Sequence, residues 1–114
     1  MASVSATALS GFFASERRLE NAANNIANAQ SSNFRAQDVV QSSDATGGVS
    51  TRVVERNPAT VQTTDSSGNV VERPNVSLEE EVIQAQVSTY SAQANLKVLQ
   101  TQNQLDKYLL DIQA

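Results

Sequence analysis

The chain has 114 residues, which is enough for one domain at most. With three Phe, two Tyr and no Trp it has too few large side chains for a dense core of its own, so neighbours are expected to complete the fold. The absence of Cys and His removes disulfides, thiolate metal sites and the usual general base, and the net charge of −4 argues against nucleic acid as a partner.

The first predicted helix covers residues from about 3 to 28, where apolar side chains recur on one face. These side chains are Leu9, Phe12, Leu19, Ala23 and Ile26. A neighbouring row of small residues would let another helix approach closely, and it consists of Ala8, Ser15, Ala22 and Ala29. Phe13 lies about 100° around the helix from Phe12. One of these two rings therefore leaves the apolar face, and it either widens the core or contacts another subunit.

The end of this helix is rich in asparagine. Local capping and turn formation explain some of these residues. The number of amides exceeds what one helix end needs, which favours hydrogen bonds between helices or between subunits for Asn24, Asn25 and Asn28. Asn33 is predicted to close the segment in the left-handed conformation. Upstream, Arg17 and Arg18 are typical of a solvated helix face, with a basic contact for a partner as the alternative.

The middle of the chain is predicted to be a loop followed by a small β-hairpin or meander. Residues 35–48 are mostly polar and end in a turn-rich stretch, which indicates a flexible loop. Alternating or β-prone runs predict short strands at residues 49–53, 60–64 and 70–72. Because a two-stranded ribbon is marginal alone in water, these strands should lean on the helices or on a neighbour.

The pattern of residues 77–112 predicts one long helix, around which the rest of the chain is arranged. It contains no Gly or Pro, and it begins with Ser77 and three glutamates that suit the positive end of a helix dipole. Its main apolar stripe is Ile83, Val87, Tyr90, Ala94, Val98, Thr101, Leu105, Tyr108 and Ile112, and a second stripe is Ala92, Leu96, Leu99 and Leu110. Two apolar faces need at least two partners, so this helix is not covered by its own chain alone.

The sequence contains no set of residues that predicts catalysis. Without His or Cys the familiar acyl-transfer arrangements are missing, and no serine–lysine pair stands out. Glu79, Glu80 and Glu81 could suggest a cation site, but helix-end electrostatics explains them more simply. We therefore expect no enzyme, no cofactor, no metal site and no small-molecule substrate.

Two motifs in this order resemble the bacterial flagellar rod and hook family. The first is Ala23-Asn24-Asn25-Ile26-Ala27-Asn28 followed by Ser32-Asn33-Phe34-Arg35, where Asn33 stands at a position that is usually Gly. The second runs from Gly68 through Pro74-Asn75-Val76 to an acidic helix start, and then to Tyr90-Ser91-Ala92-Gln93-Ala94-Asn95 and Val98-Leu99-Gln100-Thr101. Glu81-Val82 replaces the family's usual Glu-Met, which is a mild departure. The short middle is most similar to the small C-type proximal rod subunits.

The resemblance implies a mainly α fold in which long N- and C-terminal helices form an antiparallel coiled-coil-like pair with a loop and a small β-hairpin between them. It also implies three segments, an axial helix with the rod motif (1–34), a loop and hairpin (35–76) and a second axial helix (77–114). Within a subunit, Leu9, Phe12, Leu19 and Ile26 would meet Ile83, Val87, Tyr90, Val98, Leu105 and Leu109. Other subunits would be contacted by Phe13, Leu96, Leu99 and Leu110.

The function that this resemblance implies is structural. Rod subunits assemble with themselves and their paralogues into a helical tube that transmits torque in the flagellar basal body, where the rod spans the periplasm. They reach it through the flagellar type III export apparatus without a cleaved signal peptide, and the amino end of this chain lacks the basic and apolar regions of such a peptide. The alternative is a soluble helical-hairpin module, such as an adaptor or a secretion chaperone.

Overall fold

The computed structural model describes residues 3–113 and contains two long helices with four short strands between them. In chain order the elements are α1 (Val4–Ala27), β1 (Gln37–Ser43), β2 (Val49–Glu55), β3 (Thr60–Thr64), β4 (Val70–Pro74) and α2 (Leu78–Gln113). The helices pack against each other, and the strands form two antiparallel hairpins, β1–β2 and β3–β4. The predicted fold class, mainly α with two packed terminal helices, is confirmed.

Both helices lie within one residue of their predicted bounds. The Ser3 hydroxyl caps α1 by accepting a hydrogen bond from the Ala6 N–H at 3.1 Å. At the start of α2 the Ser77 carbonyl accepts from the Glu81 N–H at 3.0 Å. The 36 residues of α2 span about 54 Å at 1.5 Å per residue, so α2 is much longer than its partner helix.

The two helices run antiparallel, because Asn25 near the end of α1 contacts Glu81 near the start of α2, whereas Gly11 faces Asn95. A row of buried and half-buried α2 positions follows the three–four alternation of a coiled coil. This row is Glu81, Ala85, Ser88, Ala92, Asn95, Leu99 and Gln102. The corresponding α1 row is Ala8, Gly11, Ser15, Arg18, Ala22 and Asn25. Most of these side chains are small.

Small residues let the two helix backbones approach closely. A Cβ added at Gly11 would lie 2.9 Å from the Asn95 Nδ2 atom, which is closer than real Cβ contacts, so any larger residue there would require the Asn95 side chain to shift. Ala8, Ser15 and Ala22 are 5%, 2% and 0% exposed. The row that was predicted to admit another helix is therefore the face on which α2 packs, although Ala29 lies beyond the end of α1.

The large apolar side chains do not form this helix–helix interface. The predicted packing of one apolar stripe on the other within a subunit is wrong for the residues that remain 36–69% exposed. These are Leu9, Leu19, Ile83, Val87, Tyr90, Val98, Leu105 and Leu109. Phe12 and Ile26 are half-buried. The reason is steric. The interface between α1 and α2, which we call the seam, brings the two backbones close together and leaves no room for large side chains between them.

The polar stretch that was predicted to be a loop contains β1. All seven residues of β1 pair with β2, from Gln37 opposite Glu55 to Ser43 opposite Val49. The loop prediction is wrong because this strand depends on its neighbours rather than on its own composition. The Asn21 Nδ2 donates to the Gln37 carbonyl at 2.9 Å, and the Val49 N–H donates to the Ser10 Oγ at 3.1 Å, so the hairpin lies along α1.

The second hairpin projects away from the helices. In the described chain β3 and β4 pack against neither helix nor the first hairpin. At its base, the Ala59 carbonyl accepts hydrogen bonds from Ala36 N–H at 3.2 Å and from Asn75 N–H at 3.0 Å. At its tip, the Asp65 Oδ1 accepts from two backbone N–H groups at 2.9 Å, and Gly68 supplies the positive φ of 87° that the turn requires. The middle of the chain therefore holds two hairpins rather than one.

The molecule is long and narrow. Its extents are 76 × 25 × 15 Å and its radius of gyration is 19.7 Å, whereas a compact domain of this length has a radius of gyration of about 13 Å. The start of α1 at Val4 lies beside residues 94–105 of α2. The C-terminal end of α2 after these residues therefore has no part of α1 beside it. Neither helix in residues 3–113 combines the length and the apolar character needed to cross a membrane.

Candidate functional site

Arg56, the residue after β2, lies where both helices, the first hairpin and the segment before α2 meet. Its guanidinium group joins side chains and a backbone carbonyl that are far apart in sequence. We call this group the polar junction, and its members are Asn25, Asp38, Arg56, Asn75 and Glu81.

The geometry around Arg56 satisfies most of its donors. Its Nη2 atom lies 2.7 Å from Asp38 Oδ1 and 2.8 Å from Glu81 Oε1. Its Nε donates to both Asp38 oxygens at 3.1 and 3.2 Å, and its Nη1 donates to the Asn75 carbonyl at 2.6 Å. The hydrogen bond to Asp38 and the one to Glu81 raise the pKa of Arg56 above its ordinary value against the opposing effect of burial, so the guanidinium stays charged.

Asn25 connects this charged group to α1 and is fully buried. Its Nδ2 donates to the Gln37 carbonyl at 2.8 Å and to the Glu81 Oε1 at 3.3 Å, and its Oδ1 accepts from the Gln37 N–H at 3.2 Å. The amide thus binds a strand backbone and the second helix at once. Because α2 packs on no strand in the described chain, the junction is where the first hairpin holds α2.

A cleft of about 260 Å³ opens beside the polar junction and is lined by Arg18, Glu80 and Gln84 in addition to junction residues. Within residues 3–113 the buried Nε of Arg18 has no hydrogen-bond partner. Arg17 is exposed, as expected of a solvated helix face, but Arg18 is half-buried against the junction. The cleft combines arginines with carboxylates, so it suits water or a polar backbone group of a neighbour.

The residues of the proposed rod motif have different roles in the fold. Asn25 makes the expected contact between helices, whereas the Asn28 Nδ2 donates to the carbonyl and the side chain of Asn24, both at 2.9 Å, and so closes its own helix. The prediction that Asn33 adopts the left-handed conformation is wrong, since no non-glycine residue among those described has a positive φ. Phe34 is half-buried, and the chain turns there through a hydrogen bond from the Phe34 N–H to the Ser31 carbonyl at 3.3 Å.

Helix-end electrostatics does not fully account for the three glutamates. Glu79 and Glu80 are exposed, as a helix start allows, but Glu81 is only 4% exposed and pairs with Arg56. Sequence reasoning missed this pair and Asp38. One signal was present, because Glu81 begins the three–four spacing that continues through Ala85 and Ser88. An acidic residue on a buried helical row needs a cation, and the chain has only eight basic residues.

The predicted self-assembly residues lie on the outside of the helix pair, with the exception of Leu99, which belongs to the α2 row that faces α1. Three of them, Phe12, Ile26 and Leu99, are half-buried, and the others are exposed. The exposed ones are Leu9, Phe13, Leu19, Ile83, Val87, Tyr90, Leu96, Val98, Leu105, Leu109 and Leu110. The rings of Phe12 and Phe13 form an edge-to-face pair with centroids 5.9 Å apart. We call the thirteen residues other than Leu99 the apolar surface, and they are available for contact with another molecule.

Apolar clefts open at both ends of the helix pair. One of about 270 Å³ is lined by Ile26, Val82, Ala85 and Tyr90. The other, of about 460 Å³, is lined by Val4 together with the α2 segment from Ala94 to Leu105. A side chain from another helix could enter either cleft, so the apolar surface has grooves of the kind that helix packing requires.

We expect Asn25→Leu to lower the free energy of unfolding by about 1–3 kcal/mol, because the Gln37 backbone and Glu81 lose their buried partner. Urea unfolding followed by far-UV circular dichroism measures the change. The matched control is Asn24→Leu, at an exposed position whose side-chain oxygen accepts a hydrogen bond from Asn28 at the end of the same helix. Equal losses in the two variants would show that Asn25 acts only through the helix end.

No protein-family model matches the chain, and no curated protein matches it in sequence.

Proposed function

We propose that this chain is a structural subunit of the flagellar proximal rod that assembles with itself and its paralogues into a helical, torque-transmitting tube. The observation that carries the proposal is the division of side chains between the two helix faces. Small residues fill the seam within the chain, while large apolar residues remain exposed along both helices. Large apolar side chains that remain exposed together in this way are typical of an interaction site.

The accessible surface supports a subunit that neighbours complete. It measures 7909 Å², which is about 1,800 Å² more than expected for a compact monomer of this mass. Among the described residues, the buried apolar side chains are those of five alanines and Pro74, which are small and together bury little area. Much of the free energy that stabilises the folded chain must therefore come from contacts with other subunits.

The order of the two motifs supports the flagellar rod as the assembly to which the chain belongs. The asparagine-rich end of α1 and the start of α2 meet at the polar junction, so the residues that resemble the rod family are adjacent in space. In this proposal the chain has no catalytic role and no cofactor, its partners are rod subunits and the flagellar type III export apparatus, and its place is the basal body.

We expect the purified chain to form open-ended polymers as its concentration rises. Val87→Asp should raise the protein concentration required for polymerisation by about tenfold or more, because a charge would be buried at each contact between subunits. Sedimentation velocity and electron microscopy measure this. The matched control is Gln93→Asp, an exposed polar position on the same helix. In a flagellated bacterium that lacks its C-type rod subunit, the Gln93→Asp chain should support motility and the Val87→Asp chain should not.

Two outcomes would contradict the proposal. A chain that stays monomeric or stops at a closed dimer at every concentration would favour a helical-hairpin adaptor or secretion chaperone. Equal motility with Val87→Asp and Gln93→Asp would show that the apolar surface is not an assembly contact.

A further inference from the structure

The last half of α2 carries a straight apolar stripe that no part of the described chain covers. Its members are Ala94, Val98, Thr101, Leu105, Tyr108 and Ile112, and all six are exposed. Their spacing averages the 3.6 residues of an α-helical turn, so the stripe runs parallel to the helix axis. The larger members, from Val98 at 41% to Ile112 at 81%, expose much of their surface.

This stripe borders the cleft that Val4 forms with Ala94, Val98, Thr101 and Leu105. Val4 is the first residue of α1 and is 58% exposed. A helix laid on the stripe would therefore contact α1 at one end and would continue along the part of α2 that has no helix beside it.

We infer that the free chain pairs with a second copy of itself through this stripe, with the two α2 helices antiparallel. In this register Ala94 lies opposite Ile112 of the second copy, Val98 opposite Tyr108, and Thr101 opposite Leu105. The two-fold axis repeats each pair. Every layer joins a smaller side chain to a larger one, which keeps the volume between the helices even along the contact.

Charge selects the antiparallel direction. Lys97 and Asp111 lie on the same side of the stripe by the turn of 100° per residue, and neither forms an ion pair within residues 3–113. In the antiparallel register each Lys97 lies within about 3 Å, measured along the axis, of Asp111 of the second copy at 1.5 Å per residue. In a parallel pair the Lys97 and Asp111 of one copy would lie on the opposite side of the contact from those of the other, so neither residue would gain an opposite charge.

The chain as a whole exposes enough surface for a dimer contact. A standard interface removes about 800 Å² from each partner, and the chain exposes about 1,800 Å² more than a compact monomer of its mass. The rest of the apolar surface, including Phe13 and Val87, remains free in such a dimer. The inference does not rest on the proposed function and goes beyond it, since the dimer would cover the end of α2 before any larger assembly forms.

Cross-linking tests the register, and the absence of native cysteine makes it simple. We expect Ala94→Cys and Ile112→Cys chains, mixed and oxidised, to give a disulfide-linked dimer that neither variant gives alone. In the antiparallel pair two copies of the same position lie about 27 Å apart along the axis, too far for a disulfide. Efficient cross-linking of Ala94→Cys with itself would indicate a parallel pair and would overturn the inference.

Charge reversal tests the contact in solution. By sedimentation equilibrium we expect Lys97→Glu or Asp111→Lys alone to raise the dimer Kd at least fivefold, and the double variant to restore it. Lys107→Glu is the control, because Lys107 lies away from the stripe. A wild-type chain that shows no dimer, or a double variant no tighter than the single ones, would overturn the inference. A chain that polymerises without passing through this dimer would overturn it while leaving the proposed function intact.

Discussion

Arg56→Met is expected to lower the free energy of unfolding by about 3–5 kcal/mol, because it leaves Glu81 as a buried carboxylate without its cation. Glu81 is 4% exposed, and the guanidinium also donates to Asp38 and to the Asn75 carbonyl. Methionine retains the length of the side chain but none of these donors. A loss of this size is a large part of the stability of a small domain, so the start of α2 should separate from α1. Urea unfolding at a fixed protein concentration, followed by far-UV circular dichroism, measures the loss.

Two further variants distinguish the buried charge from a general effect of losing an arginine. Arg35→Met breaks the exposed ion pair with Glu55, in which both side chains are more than half exposed, and should leave stability nearly unchanged. Arg56→Met combined with Glu81→Met should recover part of the lost stability, since removing both partners avoids an unpaired buried charge. If the double variant were less stable than Arg56→Met alone, the unpaired carboxylate would not be the cause.

Ala22→Leu is expected to have the second large effect, a loss of about 1–3 kcal/mol or more from overpacking. Ala22 is 0% exposed and lies in the seam where the two helix backbones approach closely. Leucine and alanine have similar helix propensities, so the helix itself is not weakened. The added side chain has no space unless the helices move apart, which would also disturb the hydrogen bond between Asn25 and Glu81.

The control for this substitution is Ala23→Leu, one residue along the same helix. Ala23 is exposed, so leucine there should leave the thermal unfolding midpoint unchanged within a few degrees or raise it slightly. Circular dichroism melting curves compare the two variants. If Ala22→Leu melts at the same temperature as Ala23→Leu, the seam is looser than the buried alanines indicate.

Periodicity was sufficient to predict the two helices and their ends, but not which face packs inward. An apolar stripe shows that a helix has a partner, and it gives no sign of whether that partner belongs to the same chain. The stripe beginning at Ile83 and Val87 was therefore assigned to packing within the subunit, although these residues are exposed. The small residues Ala8, Ser15 and Ala22 were the better signal, because only small side chains allow the backbone approach that α2 makes.

The polar junction could not be predicted because its contacts join distant parts of the chain. Arg56 and Glu81 are separated by 25 residues, and Asn25 and Glu81 by 56. Nothing local distinguishes Arg56 from the other arginines. β1 was missed for a similar reason, since Val39 and Val40 are its only apolar residues and its stability comes from β2 and α1. Asn25 was correctly expected to bond between helices because amides at the end of α1 outnumber the groups that a helix end leaves unpaired.

The isolation of the second hairpin leaves its length free to vary. A Cβ at Gly68 would meet no atom within 4 Å, and β3 and β4 rest on neither helix in the described chain. Residues added between Asp65 and Asn69 would extend into solvent, at the modest entropic cost of a longer loop. Related chains could therefore carry a whole inserted domain at this tip while their two helices kept one common geometry, and the same position would accept a grafted epitope or a fluorescent label.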